Sequence, residues 1–259
     1  MGKVISIGSF NYQDLFDGLT MSIESHKLVA ISGPNNCGKT TLIRILGREI
    51  IVESDIEVEG YPINIYAIED YQRLVKMVIP MERIPLEETI EEEMYLLKDD
   101  KEEIEEIIKG LKIQRISNKP IPELTNKEFI YYQIAVSLIT QPKILLLDSL
   151  DSILLDKECI EILEFLKEYQ KERDLTVVYT TLSLNTTLIS DYLYVLEGKQ
   201  VALKGTPLEV LKHDNIINKI GLNVPFMVDL SVKLKDYDLI DKIELDKDRM
   251  LDALWKWNG

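Results

Sequence analysis

The sequence predicts an α/β fold: a mostly parallel sheet with helical crossovers, bounded by an antiparallel N-terminal piece. Three observations predict it. Residues 28–31 form an apolar run that leads into Gly33-Pro34-Asn35-Asn36-Cys37-Gly38-Lys39-Thr40-Thr41. That stretch reads G-x-x-x-x-G-K-[ST], a turn that cradles phosphate between a strand and a helix. A second aliphatic run, residues 144–147, ends in an acid at Asp148. Strand-like and helix-like periodicities alternate around both, as crossovers between parallel strands require.

The elements follow in order. Residues 3–12 alternate Val4, Ile5, Ile7, Phe10 and Tyr12, and residues 19–24 alternate with polar partners, so both read as strands. Residues 28–32 feed the phosphate turn, and Leu42, Ile45 and Leu46 give the following segment one apolar side. Residues 55–61 are a short strand ending near Gly60, and residues 71–79 a further strand ending at Pro80. An acidic stretch follows, with Glu82, Glu87, Glu88, Glu91, Glu92 and Glu93, and reads first as a solvated face. Ile104, Ile107, Ile108 and Leu111 are spaced for a helix over 101–111. After a Pro-punctuated loop, residues 125–140 and 157–171 read as helices, with buried strands at 144–148 and 175–180. Residues 192–196 and 200–203 pair around Glu197-Gly198-Lys199, and short helices fill the chain from Thr206 onward.

The bulk numbers bound the function classes. The chain has 259 residues, 46% of them hydrophobic, enough for one large domain and a small appendage. Its formal net charge of −15 argues against nucleic acid or an anionic membrane surface as a direct partner, but permits docking onto a basic protein segment. Two cysteines, Cys37 and Cys159, suit free thiols in a reducing compartment. No apolar run approaches 18 residues, and no signal-peptide core is visible, so a cytoplasmic chain is expected. At a membrane, another protein would do the spanning.

The phosphate turn carries most of the chemistry. Its glycines allow the backbone N–H groups to converge on phosphate oxygens. Lys39 would reach the β- and γ-phosphates, the Thr40 hydroxyl would ligate Mg²⁺, and the helix N-terminus adds partial positive charge. Such a site needs a carboxylate from a neighbouring buried strand to hold the Mg²⁺, and Asp148 supplies one. ATP and Mg²⁺ are therefore the expected ligands.

With these residues in place, the chain resembles the ATP-binding subunits of ABC transporters, and within them most resembles the ATPases of energy-coupling-factor importers. The resemblance runs over nearly the whole chain. Ser9-Phe10-Asn11-Tyr12 resembles the family's S-F-x-Y, which implies that Tyr12 stacks on adenine. Residues 205–211 resemble G-T-P-x-E-(V/I)-(F/L). The tail, residues 220–226 with Leu230, Leu234 and Ala253-Leu254-Trp255, resembles the importers' C-terminal helical extension, which helps hold two ATPase subunits together. The resemblance implies an ABC-type P-loop ATPase with a RecA-like mixed sheet, an antiparallel β piece and a helical subdomain over about 82–141. The ATPase domain would occupy residues 1–205 and the helical extension residues 206–259. It also implies a second ATPase subunit, a transmembrane coupling protein, and a peripheral position on the inner face of the cell membrane. Trp255 and Trp257 read as packing residues of the tail.

The catalytic positions depart from the family pattern. The strand-end acid is normally followed by a Glu that polarises water; here Ser149 stands there, and a hydroxyl is no general base at neutral pH. Losing such a base costs roughly 10²–10⁴-fold, or about 3–5 kcal/mol on the barrier. Asp151 is a weak substitute, because its spacing moves it away. Leu182 stands where the family has a His, and the two histidines, His26 and His213, lie elsewhere. The family's Gln falls at Ile79 or Pro80. The signature L-S-G-G-Q reads Leu124-Thr125-Asn126-Lys127-Glu128, and Leu155 takes the place of an Asp, with Asp156 one residue later. The expectation is a chain that binds ATP firmly, hydrolyses it slowly or not at all, and works with a different, less altered ATPase chain. A non-hydrolysing ATP-bound scaffold or regulatory subunit is the alternative. A soluble ABC protein without a membrane partner is a third reading, against which the tail argues. In the family, the acidic stretch also lines the groove that receives basic coupling helices of a membrane partner. Cys37 reads as a tolerated filler of the phosphate turn.

Overall fold

The computed structural model describes residues 2–257. β1 (Lys3–Tyr12) and β2 (Phe16–Glu24) pair antiparallel, and their alternation buries Ile5, Ile7, Phe10, Leu19, Met21 and Ile23 on one face. β3 (Leu28–Ser32) is buried along its whole length, as a central parallel strand must be. It runs into the phosphate turn and α1 (Lys39–Leu46). β4 (Ile56–Val58) and β5 (Tyr61–Pro62) extend the antiparallel piece.

Next come α2 (Ile68–Leu74) and β6 (Val75–Val78). The expected strand over 71–79 is therefore half helix. Glu69 and Asp70 favour a helix N-terminus, and the buried Tyr71 hydroxyl donates to the Leu46 carbonyl at the end of α1. Tertiary packing overrides the strand preference of that run.

The helical piece comprises α3 (Ile90–Leu97), α4 (Lys101–Gly110) and α5 (Asn126–Leu138). Thr89 and Thr125 close capping boxes with Glu92 and Glu128, and Asp100 caps α4. The acidic stretch is not simply a solvated face. Glu82 pairs with Arg44, Glu91 accepts from Ser117 and Asn118, and Glu93 is fully buried. Arg83, Tyr132 and the Leu86 N–H satisfy Glu93 at 2.6, 2.7 and 3.0 Å. A charge of this kind stays inside only with such partners.

β7 (Ile144–Leu147), α6 (Asp156–Tyr169), β8 (Thr176–Thr181) and the short α7 (Leu184–Thr187) follow. β9 (Tyr192–Glu197) and β10 (Gln200–Gly205) form the expected hairpin. The chain ends in α8 (Pro207–Leu211), α9 (Asp214–Lys219), α10 (Phe226–Asp236) and α11 (Lys247–Trp257).

One sheet has the order β2-β1-β4-β5. The other has the order β10-β9-β3-β8-β7-β6, parallel from β9 to β6 with β10 antiparallel at its edge. Two apolar layers cover the larger sheet. On one face, Val29, Ile31, Leu146 and Val178 meet α1 and the antiparallel sheet. On the other, Leu28, Leu145, Leu147 and Val177 meet α5, α6 and the tail, to which α8, α9 and α10 give Leu211, Ile217 and Val228. Trp255 departs from its expected packing role: it is 75% exposed, because α11 buries Met250 instead. The side chain of Trp257 lies outside the described residues.

Register sets the position of the site. Ser32 pairs with Thr181, and Leu147 with Tyr179. The C-terminal ends of β3, β7 and β8 thus open at one edge, the crevice where open α/β sheets bind ligands.

Candidate functional site

The phosphate turn joins β3 to α1 in a conformation few residues tolerate. Asn36 and Gly38 have φ of 64° and 98°, and Gly33 has 152°. Close contacts reinforce the need for glycine. A Cβ on Gly33 would lie 2.5 Å from the Leu196 carbonyl oxygen, and one on Gly38 would lie 2.6 Å from the Phe16 ring. Phe16 is therefore the floor beneath the turn. Gly38 offers no side-chain cap, so the first-turn N–H groups of α1 are free to meet an anion.

Lys39 is 7% exposed, and its ammonium donates to the carbonyls of Gly33 and Pro34 at 2.7 and 2.9 Å. Among the described residues it has no carboxylate within ion-pair distance. A buried cation neutralised only by carbonyl dipoles favours an incoming anion. The Cys37 sulfur lies 3.8 Å from the ammonium. Burial pushes the Cys37 thiol up, and the Lys39 charge opposes that shift.

An open groove of about 320 Å³ runs over the turn. Asn35, Asn36, Gly38, Lys39, Thr40 and Thr41 line it, together with Ser149 and Leu182. Leu15, which the sequence did not single out, lines it as well. Tyr12 is not among the lining residues. It pairs with Phe16 across the first hairpin and stacks against Phe10 at 6.2 Å, at the same corner of the molecule.

Thr40 and Asp148, 108 residues apart in sequence, meet. The Thr40 hydroxyl donates to one Asp148 carboxylate oxygen at 2.8 Å. This donor set fits Mg²⁺, which takes hard oxygen ligands and usually completes its shell with water and substrate phosphates. The other Asp148 oxygen accepts from Thr180 at 2.6 Å and from the Ser149 hydroxyl at 3.3 Å. Ser149 has a φ of 46°, and its N–H donates to the Thr180 hydroxyl.

Leu182 is 43% exposed at the groove wall and brings no titratable group to it. Asp151 does not face the groove. One of its oxygens accepts from the Thr181 hydroxyl and from the N–H groups of Leu182 and Ser183, at 2.8, 2.7 and 3.2 Å. It ties down the loop after β8, a role that no local sequence signal announces.

The peptide at 124–128 sits at the N-terminus of α5. Thr125 is the cap, as its hydroxyl suggests, and the Glu128 carboxylate accepts from the Thr125 N–H and from Lys119. Lys127 is ion-paired with Glu158. Behind the site, Gln133 donates to the Ile79 carbonyl at 3.0 Å.

Comparison with known proteins agrees with this architecture. A family model described as ABC transporter matches residues 16–151, just over half the chain. The energy-coupling factor transporter ATP-binding protein EcfA1 of Latilactobacillus sakei is 24% identical, over 98% of this chain and 96% of that protein. The Bacillus subtilis protein of the same name is 26% identical, over 92% of this chain and 89% of its own length. Among solved structures, cbiO1 of Clostridium perfringens, part of the ABC transporter complex cbiONQ, superposes with a TM-score of 0.71 at 23% identity. That superposition covers 88% of this chain and 98% of cbiO1.

Proposed function

The chain belongs to the ABC transporter family, and on that premise we propose that it is an ATP-binding subunit of an energy-coupling-factor importer. It binds ATP with Mg²⁺ and passes the closing and reopening of an ATPase pair to a transmembrane partner that moves a small solute. The observation that carries this is the buried, carboxylate-free Lys39 ammonium beside the Thr40–Asp148 pair.

In this reading the backbone of Gly33, Pro34, Asn35, Asn36, Cys37 and Gly38 cradles the phosphates, with Thr41 continuing the helix N-terminus beneath them. Lys39 neutralises their charge. Thr40 and Asp148 hold the Mg²⁺, which when bound withdraws charge from the phosphate oxygens. Tyr12 packs against the adenine from the first hairpin.

Hydrolysis by this chain alone is slow. Ser149 offers no base, its hydroxyl lies within hydrogen-bond reach of Asp148 and Thr180, and Asp151 already accepts three hydrogen bonds. Asn126 and Lys127 replace the two glycines that would let a partner's nucleotide approach α5, and Glu128 puts a carboxylate in place of the signature Gln. Both nucleotide sites of an identical pair would then be weakened, so the working partner is a different, less altered ATPase chain. The same observations favour a second reading, an ATP-bound scaffold or regulatory subunit that never turns over.

The membrane side of the proposal rests on Met81, Ile84 and Leu86, which are exposed next to acidic residues Glu87 and Glu88. No described helix is long and apolar enough to cross a membrane.

The test pairs binding with single turnover. Lys39→Ala should weaken ATP binding at least tenfold relative to the unaltered chain, and equal binding by both refutes the site. The unaltered chain should hydrolyse bound ATP slowly, and Ser149→Glu faster. Brisk hydrolysis by the unaltered chain refutes the slow-site reading. Isolation of the chain with a hydrophobic membrane protein and a second ATPase supports the importer; ATP retained without turnover in that complex supports the scaffold.

A further inference from the structure

Three hydroxyls touch Asp148: Thr40 from the phosphate turn, the neighbouring Ser149 at 3.3 Å, and a third, closer one that neither the turn nor chain adjacency accounts for. That third hydroxyl belongs to Thr180, near the end of β8. The parallel register pairs Leu147 with Tyr179, and one further step along both strands sets Asp148 beside Thr180. Both are almost wholly buried, at 4% and 1% exposure. The Thr180 hydroxyl donates to one Asp148 oxygen at 2.6 Å, while Thr40 donates to the other at 2.8 Å. With its proton committed, the Thr180 oxygen accepts the Ser149 N–H at 2.9 Å. Ser149 is held there with a φ of 46°, a region that costs a non-glycine residue energy unless its surroundings impose it.

We propose that Thr180 is a positioning residue for the magnesium nucleotide: its hydroxyl fixes the plane of the Asp148 carboxylate and braces the Ser149 turn. The inference rests on the nucleotide reading above. A cation taken up between Thr40 and Asp148 displaces or weakens the bond between them. The Thr180 bond, at 2.6 Å much shorter than the 3.3 Å bond from the Ser149 hydroxyl, then remains to aim the carboxylate. Groups that orient a metal ligand typically alter metal affinity 10–100-fold when removed. Thr180 itself touches neither phosphate nor metal, so its removal acts through Asp148.

The experiment titrates a fluorescent ATP analogue into the full chain, once with saturating Mg²⁺ and once with EDTA. In the unaltered chain, Mg²⁺ tightens binding. Thr180→Val keeps the shape but deletes the donor to Asp148 and the acceptor for Ser149. It should weaken binding about tenfold in Mg²⁺ while leaving binding in EDTA within about twofold. Thr180→Ser should restore the magnesium gain. A merely structural role would lower both affinities together, so an equal loss in both buffers overturns the proposal. Retention of the full magnesium gain by Thr180→Val, or no rescue by Thr180→Ser, does the same. If Thr180→Val fails to fold, Thr180→Cys, which leaves only a weak S–H donor, must lose part of the magnesium gain, and its full retention overturns the proposal. An unaltered chain that binds no nucleotide in either buffer overturns the nucleotide reading and this inference with it. Tight magnesium-dependent binding that is indifferent to Thr180 overturns this inference alone.

Discussion

Replacing Glu93 with alanine removes the acceptor on which three donors converge. Arg83, Tyr132 and the Leu86 N–H lose their bonds together. Tyr132 is fully buried, so its hydroxyl loses an acceptor that water does not replace. Arg83 keeps 27% of its side chain exposed and recovers part of its hydration. Breaking a buried pair by removing one partner costs about 3–5 kcal/mol, and the exposure of Arg83 puts this case near the lower end, about 3 kcal/mol. For a chain of this size that corresponds to a fall in Tm of about 6–12 °C. Glu93→Gln, which keeps the shape and one acceptor, should lose about half as much. The three bonds also tie residues 83–86 to α3 and α5, so trypsin should cut after Arg83 faster in Glu93→Ala. Thermal unfolding followed by circular dichroism, together with that digestion, checks both outcomes. A loss under about 1 kcal/mol with unchanged cleavage would show that the triad is not what holds this segment. Arg83→Met combined with Glu93→Leu should recover only part of the stability, since it removes the unpaired cation but leaves the Tyr132 hydroxyl and the Leu86 N–H without their acceptor.

Gly38→Ala should cost about 2–4 kcal/mol from overpacking and strain, because the new Cβ meets the Phe16 ring at 2.6 Å with φ at 98°; it should abolish ATP binding, and a variant that binds normally contradicts the close packing. The Glu128 carboxyl is held below its ordinary value of 4.5 by the Thr125 N–H and by Lys119. Its contribution to stability is present above pH 4.5 and is lost as pH falls through the lower folded value, because the unfolded chain takes up the proton first. Glu128→Gln should flatten the acid limb of a stability–pH curve, and an unchanged limb counts against the cap. Burial, reinforced by nearby Asp151 and Asp156, pushes the Cys159 thiol up to about 12, so a thiol reagent at neutral pH should reach it only on unfolding. Cys37, half-exposed beside Lys39, should react slowly and be protected by ATP, and indifference to ATP would place the nucleotide elsewhere.

Features written in contiguous residues were legible in the chain itself. The phosphate turn, the aliphatic strand ending at Asp148 and the hairpin around Gly198 each depend on neighbours in sequence, and their backbone demands leave marks in residue type. The run at 71–79 misled because its strand preference is local, whereas the bond from Tyr71 to Leu46 is not. The acidic stretch misled for the same reason: nothing within it distinguishes Glu93, whose burial depends on Tyr132, 39 residues away. Tertiary structure alone decided that Thr180 stands on Asp148, since only the register of two parallel strands brings them side by side. It also turned Asp151 away from the groove and onto the loop after β8. Sequence thus determined which groups stand at the turn between β3 and α1 and at the end of β7. Strand register and helix packing determined which oxygen each donor reaches, because a hydrogen bond depends on tenths of an ångström that no spacing of letters encodes.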